Sequence, residues 1–305
     1  MSTTATVERP REAARPSAAA VSTFFRRTRG DSPFKRLLIH GTLILACLIA
    51  AYPILRVMSV ALRPNDRLLS TSLEIVPPDA SLDAFGEVLT NTDFLLWIWN
   101  SLIITITTAT IGVIIAATSA YAFSRWRFPG RSFGLVFLLA TQMIPAAMML
   151  VPLFILATQI GIVNSYRGLV LGYSVTAVPF SIWILKGYYD TVPIDLEEAA
   201  KIDGASQMQA FVRILLPLST PALAIVFLFN FMAAWNDYLL ARVMVGSVAD
   251  LNTWTLGFKH FIDQFRTDWG NFAAASIMVM IPVMALFLYS AKWLISGLTL
   301  GSVKG

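Results

Sequence analysis

Within a strongly apolar chain lies a polar segment that reads Glu198-Ala199-Ala200-Lys201-Ile202-Asp203-Gly204 and, after nine intervening residues, Ile214-Leu215-Leu216-Pro217. It belongs to a polar, helix-forming insert at residues 187–217, called the polar insert below. The insert separates two apolar stretches that are each long enough to cross a bilayer. A structured segment in such a place predicts that something in the aqueous phase docks there.

The composition is that of a membrane protein. Of the 305 residues, 56% are hydrophobic and 13% are charged, and the mean hydropathy is +0.68. Soluble domains carry about 25% charged residues, so we expect an all-α integral membrane protein. The single cysteine, Cys47, lies in an apolar run, which excludes an internal disulfide framework.

Apolar runs predict six transmembrane helices, at residues 37–60, 95–122, 132–157, 168–186, 218–240 and 273–295. An even number of spans puts both termini on one side of the membrane. Most of the 23 lysine and arginine residues fall on the side that holds the termini and the polar insert. Because cytoplasmic loops are enriched in Lys and Arg, this side is predicted to be the cytoplasm. The basic pI therefore indicates topology and not nucleic-acid binding.

The chain divides into a tail and one membrane domain. Residues 1–36 are rich in Ala, Arg, Ser and Pro and have no apolar period, which predicts a disordered cytoplasmic tail. Residues 37–305 form the six-span domain. This domain contains the polar insert and, on the opposite side of the membrane, an outer loop at residues 241–272.

Turn chemistry predicts that the polar insert is a helical hairpin. Asp195 with Glu198 fits a capping box at the start of a short helix. Gly204 suits the left-handed position that ends such a helix. Ser206 with Gln209 fits a second capping box, from which a second helix leads back into the membrane.

The hairpin allows two interpretations. It can be a solvated amphipathic hairpin in which Glu198 is only a helix cap. Alternatively, the small Ala199 and Ala200 let another protein surface approach, and Glu197 and Glu198 meet an arginine there. The second interpretation is favoured because the Glu-Ala-Ala triplet occurs together with Gly204, Ile214, Leu216 and Pro217 on the predicted cytoplasmic side.

Residues 37–305 resemble the permease subunits of carbohydrate ABC importers, closest to the MalG-type subunit of maltose/maltodextrin transporters. The resemblance rests on the polar insert and on three further runs: Ala120-Tyr121-Ala122-Phe123-Ser124-Arg125, Phe128-Pro129-Gly130 and Gly297-Leu298-Thr299-Leu300-Gly301-Ser302-Val303-Lys304-Gly305. It implies a subunit of the bacterial cytoplasmic membrane that works with a second six-span permease, a dimer of ATPase subunits and an extracytoplasmic sugar-binding protein. ATP and Mg would be bound by the ATPase, and no cofactor by this chain.

The resemblance also implies three contact regions. The ATPase would dock on Glu197, Glu198, Ala199, Ala200, Gly204, Ile214 and Pro217. The C-terminal residues Gly301, Ser302, Val303, Lys304 and Gly305 would enter the interface between the two ATPase subunits, although chain ends often fray. The outer loop would reach the binding protein through Trp254, Phe258 and Phe261, although an aromatic-rich loop can also be a membrane-surface helix.

Polar side chains inside predicted spans mark a possible sugar pathway, because polar groups are costly in lipid. Gln142 and Asn230 are the candidates, and hydrogen bonding between helices is the alternative. The sequence has no metal-ligand spacing, no phosphate-binding glycine loop and no catalytic cluster, which argues against an enzyme.

Two questions of function stay open at this point. An ion-coupled secondary transporter would show buried acidic residues and internal repeats, and the chain shows neither pattern. The sugar is not determined by the sequence: maltose or maltodextrin is the first expectation, and trehalose or another oligosaccharide is the alternative.

Overall fold

The computed structural model describes residues 33–64, 74, 76–262 and 267–302. The described chain is helical, with loops and one isolated bridge between Ile262 and Thr267 in place of strands. The α-helices are α1 (Pro33–Ala61), α2 (Asp83–Thr90), α3 (Phe94–Arg125), α4 (Arg131–Thr141), α5 (Ala146–Gln159), α6 (Tyr166–Tyr189), α7 (Asp195–Ile202), α8 (Gln207–Ala210), α9 (Leu216–Leu218), α10 (Thr220–Trp235), α11 (Leu239–Val245), α12 (Trp254–Gly257) and α13 (Trp269–Ser302). A π-helical turn (Phe211–Leu215) joins α8 to α9, and 3-10 turns occupy Ala249–Leu251 and Phe258–Phe261.

Four of the predicted spans coincide with continuous helices that are long and apolar enough to cross a membrane: α1, α3, α6 and α13. The third predicted span coincides with a sharply bent helix pair, and the fifth contains the second helix of another bent pair. The angle is 103° between α4 and α5, and 76° between the segment Gln207–Leu218 and α10. The described residues therefore hold four long helices, or up to six spans if each bent pair crosses the membrane once.

The third predicted span, 132–157, is not one helix. Helix α4 ends at Thr141, and α5 begins only after Pro145. Proline has no backbone N–H, so Pro145 cannot donate a helical hydrogen bond to Thr141, and it disfavours helical backbone at the residue before it. Pro145 in the sequence indicates a kinked span, but the continuous apolar run does not show that the kink is a full break between two helices.

The fifth predicted span, 218–240, extends too far at its C-terminal end. Helix α10 stops at Trp235, and a new helix, α11, starts at Leu239. The Asp237 carboxylate accepts hydrogen bonds from the backbone N–H groups of Leu240 at 3.0 Å and Ala241 at 3.2 Å. Asp237 therefore acts as the start signal of α11, because it satisfies N–H groups that have no partner within the helix.

Helix α3 is the centre of the unit that begins at Leu55; of the described residues, 33–54 belong to a separate unit. Helix α3 packs against α6 and α10 over most of its length. Several of the fully buried residues of α3 are small: Ala109, Gly112, Ala116 and Ala120. Small side chains let helix backbones approach closely, which is the usual basis of helix packing in a bilayer.

An aromatic cluster closes the core near the first turns of α3. Trp97, Trp235, Phe258 and Phe261 are all buried in one hydrophobic cluster. Gly257 lies directly against the indole of Trp97: a Cβ atom at Gly257 would come within 2.0 Å of a ring carbon. Only a residue without a side chain fits between the backbone and this ring.

Gly257→Ala should destabilise the protein by about 1–3 kcal/mol, because the added methyl group forces the Trp97 ring out of its position. Thermal unfolding of the purified protein in detergent measures the effect. Gly86→Ala is the matched control, since a Cβ at Gly86 has no atom within 4 Å. Equal melting temperatures for the two variants would show that the Trp97 ring moves at no cost.

Candidate coupling site and outer loop

The polar insert folds as a helical hairpin, and Gly204 makes its turn. Gly204 has a φ of +87°, in the left-handed region that favours glycine. The N–H of Gly204 donates to Lys201 O at 3.0 Å, and the N–H of Ala205 donates to Ala200 O at 2.9 Å. These two bonds form the Schellman motif that commonly ends a helix. The predicted glycine turn is present.

One of the two predicted capping boxes is present. Ser206 and Gln209 exchange side-chain-to-backbone hydrogen bonds at the start of α8, which confirms the second box. The first prediction was wrong: Ile194 is the N-cap of α7, and it makes no side-chain cap bond. Asp195 and Glu198 instead lie in the first turn of α7, where their negative charge interacts favourably with the helix dipole.

Glu197 is buried inside the protein. The residue is 1% exposed, and both carboxylate oxygens have partners. Arg125 Nε donates to Oε1 at 2.7 Å, and the Tyr121 hydroxyl donates to Oε2 at 2.8 Å. Arg125 and Tyr121 belong to the last turns of α3. The carboxylate therefore ties α7 to the end of the central helix.

The remaining donors of Arg125 extend this tie. Its Nη2 donates to the carbonyl of Val192 at 3.0 Å, in the linker that precedes α7. Gln207, at the start of α8, donates from its amide to the Tyr121 hydroxyl. The ring of Tyr121 also packs on that of Phe211, with centroids 4.5 Å apart. Both arms of the hairpin therefore attach to the same end of α3.

A second, more exposed ion pair lies beside the first. Asp190, just after α6, accepts hydrogen bonds from Lys186 Nζ at 2.6 Å and from Ser124 Oγ at 2.7 Å. Partial burial alone would raise the pKa of Asp190, but the hydrogen bonds from Lys186 and Ser124 outweigh it and hold the pKa below its usual value. The ion pair lies at the end of α6, and the hydrogen bond from Ser124 to Asp190 links it to the end of α3.

The opposite side of the hairpin is open. Glu198, Ala199 and Gly204 are exposed, and Ala200 is half-buried. Exposed apolar side chains surround them: Leu196, Ile202, Met208 and Val212. Ile202 is 86% exposed, which is unusual for an isoleucine outside a contact surface. The hairpin thus presents exposed apolar side chains together with the accessible carboxylates of Asp195, Glu198 and Asp203.

The predicted ATPase-docking residues separate into two groups. Glu198, Ala199, Gly204 and Pro217 are exposed. Glu197 is a correction, because its carboxylate is already paired within the chain and is closed to a partner. Ile214 is half-buried, next to the fully buried Leu215, and contributes mainly to packing. Helical periodicity explains the difference, since adjacent residues of a helix face different directions.

The outer loop is held by the other end of α3. Asn100 donates from its amide to the carbonyls of Asp250 at 2.8 Å and Asn252 at 2.9 Å. Ser101 Oγ accepts a hydrogen bond from the backbone N–H of Trp254 at 2.9 Å. Asn100 and Ser101 were not predicted to touch the loop. A polar pair at the start of an apolar span was the available signal.

The aromatic residues of the outer loop point inward. Phe258 and Phe261 are buried, and the half-buried Trp254 donates from its ring N–H to the carbonyl of Trp235 at 2.8 Å. The prediction that Phe258 and Phe261 reach a binding protein is therefore corrected, because both rings pack in the core; Trp254 packs against the same core but is half-buried, and its predicted contact stays a prediction. Their helical spacing marked a buried face, which sequence periodicity cannot distinguish from a docking face. Between residues 254 and 262, the exposed residues are Lys259, His260 and Ile262.

The two predicted pathway residues lie in different settings. Asn230 is 3% exposed, its Oδ1 accepts from Ser181 Oγ at 3.0 Å, and its Nδ2 has no partner in the described structure. It lines a cavity of about 210 Å³ together with Tyr173, Thr176 and Asp237. Gln142 is exposed at the break between α4 and α5 and is not among the residues that line this cavity.

The predicted C-terminal contact is described only in part. Gly301 and Ser302 form the end of α13, and Val303, Lys304 and Gly305 lie outside the described residues, as does the predicted tail up to residue 32.

Comparison with known proteins agrees with this architecture. Residues 108–299 match the family described as the binding-protein-dependent transport system inner membrane component. Among solved structures, the chain is similar to a bacterial ABC transporter involved in the import of the acidic polysaccharide alginate. The TM-score is 0.74 at 23% identity, covering 87% of this chain and 99% of that one. This likeness establishes the fold.

Two curated relatives are similar along almost their whole length. The maltose/maltodextrin transport system permease protein MalG of Yersinia pestis is 36% identical, covering 89% of this chain and 95% of the relative. The galactooligosaccharides transport system permease protein GanQ of Bacillus subtilis is 35% identical, covering 88% of this chain and 96% of the relative. With a family match over most of the chain and relatives of this extent, the chain is a membrane-spanning permease of the MalG type and belongs to the binding-protein-dependent transport system inner membrane components.

Proposed function

We propose that this chain is a permease subunit of an ATP-driven importer that receives a sugar from an extracytoplasmic binding protein. The observation that carries the proposal is the open side of the polar insert. Ile202, Met208 and Val212 are exposed on a hairpin that is fixed to the protein on its other side. Such a surface needs a partner, and in this family the proposed partner is the ATPase subunit.

The proposed topology has six spans with both termini in the cytoplasm. Each bent helix pair counts as one span. The polar insert (187–217) is the cytoplasmic coupling loop, the outer loop (241–272) lies on the extracytoplasmic face, and residues 1–36 are a cytoplasmic tail. The attachment of the two loops to opposite ends of α3 supports this arrangement, because 32 helical residues are enough to cross a bilayer.

The proposed mechanism assigns no chemistry to this chain. ATP and Mg are bound by a dimer of ATPase subunits, which closes on ATP and moves the polar insert. This chain and a second permease subunit then change from inward-facing to outward-facing, and the binding protein releases its sugar into the cavity between them. Glu198, Ala199, Ala200 and Gly204 form the docking surface.

The proposed substrate is maltose or maltodextrin. The maltose/maltodextrin permease of Yersinia pestis supports it, while the galactooligosaccharide permease of Bacillus subtilis supports a different oligosaccharide as the second candidate. Trehalose is a further alternative. Asn230 and Gln142 remain proposed pathway residues; the unpartnered amide of Asn230 beside a cavity is the stronger observation.

Reconstitution of the four components in vesicles tests the function. With ATP inside and sugar-loaded binding protein outside, labelled maltose should accumulate. Accumulation should stop when ATP is withheld. Uptake that follows an imposed ion gradient in the absence of ATP would instead identify an ion-coupled secondary transporter. Calorimetric titration of the binding protein with maltose, trehalose and galactooligosaccharide identifies the sugar.

Gly204→Val should reduce the amount of ATPase that copurifies with the permease. A β-branched residue at a φ of +87° costs about 1–2 kcal/mol, so the turn opens and the docking surface is distorted. Gly204→Asn is the matched control, since asparagine tolerates left-handed backbone and the site has open space around it. If the valine variant retains as much ATPase as the asparagine variant, the turn has no role in docking.

Deletion of Ser302 to Gly305 tests the proposed C-terminal contact with the ATPase interface. ATP hydrolysis stimulated by the loaded binding protein should fall, while membrane insertion and the amount of ATPase bound stay unchanged. Unchanged stimulation would identify the C-terminus as a free end.

A further inference from the structure

The geometry points to a role for Glu197 that is distinct from docking: with Arg125 and Tyr121 it forms the joint through which the polar insert moves the central helix α3. This inference rests on the proposed function, because it assumes that an ATPase moves the insert. Glu197 is thus proposed to be a positioning residue that transmits the motion, while Glu198 beside it meets the partner.

The first argument is that the joint holds both arms of the hairpin. Glu197 belongs to α7 and Gln207 to α8, and both reach Tyr121. Arg125 adds the linker before α7 through the carbonyl of Val192. A displacement of either arm therefore acts on the same two turns of α3.

The second argument is the burial of the ion pair. The side chains of Arg125 and Glu197 are 6% and 2% exposed. A buried charge that loses its partner is strongly unfavourable, whereas an exposed ion pair separates at little cost. A partner protein that pulls on the hairpin will therefore move α3 with it before this pair opens.

The third argument excludes the docking role. Both oxygens of Glu197 accept hydrogen bonds within the chain, and 1% exposure leaves no approach for an external cation. The neighbouring Glu198 is exposed and makes none of these contacts. Of these two adjacent carboxylates on α7, Glu197 therefore binds within the chain, and Glu198 is available to a partner.

The test compares Glu197→Gln with the wild type in the reconstituted complex. Three quantities are measured: the ATPase that copurifies, the rate of ATP hydrolysis, and the sugar imported per ATP hydrolysed. We expect the copurified ATPase to stay at the wild-type level, because the outer surface is unchanged. Sugar imported per ATP should fall about tenfold, a typical size for the loss of coupling between two sites.

Asp190→Asn is the matched control. It breaks the neighbouring ion pair with Lys186, which is more exposed and lies at the start of the polar insert, outside the helices α7 and α8 that contact Tyr121. Sugar imported per ATP should stay near the wild-type value in this variant. Arg125→Lys, which keeps the charge but loses the two-sided contact with Glu197 and Val192, should give an intermediate value.

Two results would overturn the inference. If Glu197→Gln loses the ATPase to the same extent as Gly204→Val, Glu197 is a docking residue. If its ratio of sugar to ATP equals that of the wild type, the ion pair transmits nothing. Should Glu197→Gln fail to fold, Tyr121→Phe decides in the same assay, since it removes only the hydroxyl that Glu197 and Gln207 share.

The experiment distinguishes a failure of this inference from a failure of the proposed function. A wild-type complex that does not couple ATP hydrolysis to uptake contradicts the proposed function whatever the variants do. A coupled wild type with an unaffected Glu197→Gln contradicts the joint alone.

Discussion

The close approach of helices around α3 is the constraint on which the rest of the structure depends. Between apolar helices in lipid, water provides no driving force, so association depends on close packing. Ala109, Gly112, Ala116 and Ala120 supply it by leaving room for α6 and α10. Because α3 lies between these helices, both ends of it are available to hold other elements. The polar insert attaches to one end and the outer loop to the other.

Much of the helical architecture could be predicted from the sequence, since continuous apolar runs determine where long helices lie. The break before Pro145 and the early end of α10 at Trp235 could not be placed in this way. Each depends on local hydrogen bonding: Pro145 cannot donate a backbone hydrogen bond, and the Asp237 carboxylate accepts two from the first turn of α11. Hydropathy averaged over a span does not register a single bond.

The candidate site was predicted at the level of the segment and less well at the level of the residue. Gly204 and the Ser206 cap follow from local turn chemistry, and the structure contains both. The burial of Glu197 does not follow from local rules, because it depends on the contact with Arg125, which is 72 residues away in sequence. The rings of the outer loop gave a similar difficulty: helical spacing identifies an apolar face, but only the position of Trp97 shows that Phe261 packs against the core.

Helix α3 runs without a break from Phe94 to Arg125, and this continuity has a mechanical consequence. The contacts of Asn100 with the outer loop and of Tyr121 with the polar insert are separated by about 31 Å along the helix axis, at 1.5 Å per residue. A rod of that length has no hinge in which movement at one end is absorbed. Tilting it by about 5° about one end shifts the other end by about 3 Å, roughly the length of one hydrogen bond. The two loops are attached to opposite ends of one unbroken helix, so a molecule that holds either loop in place also restrains the other.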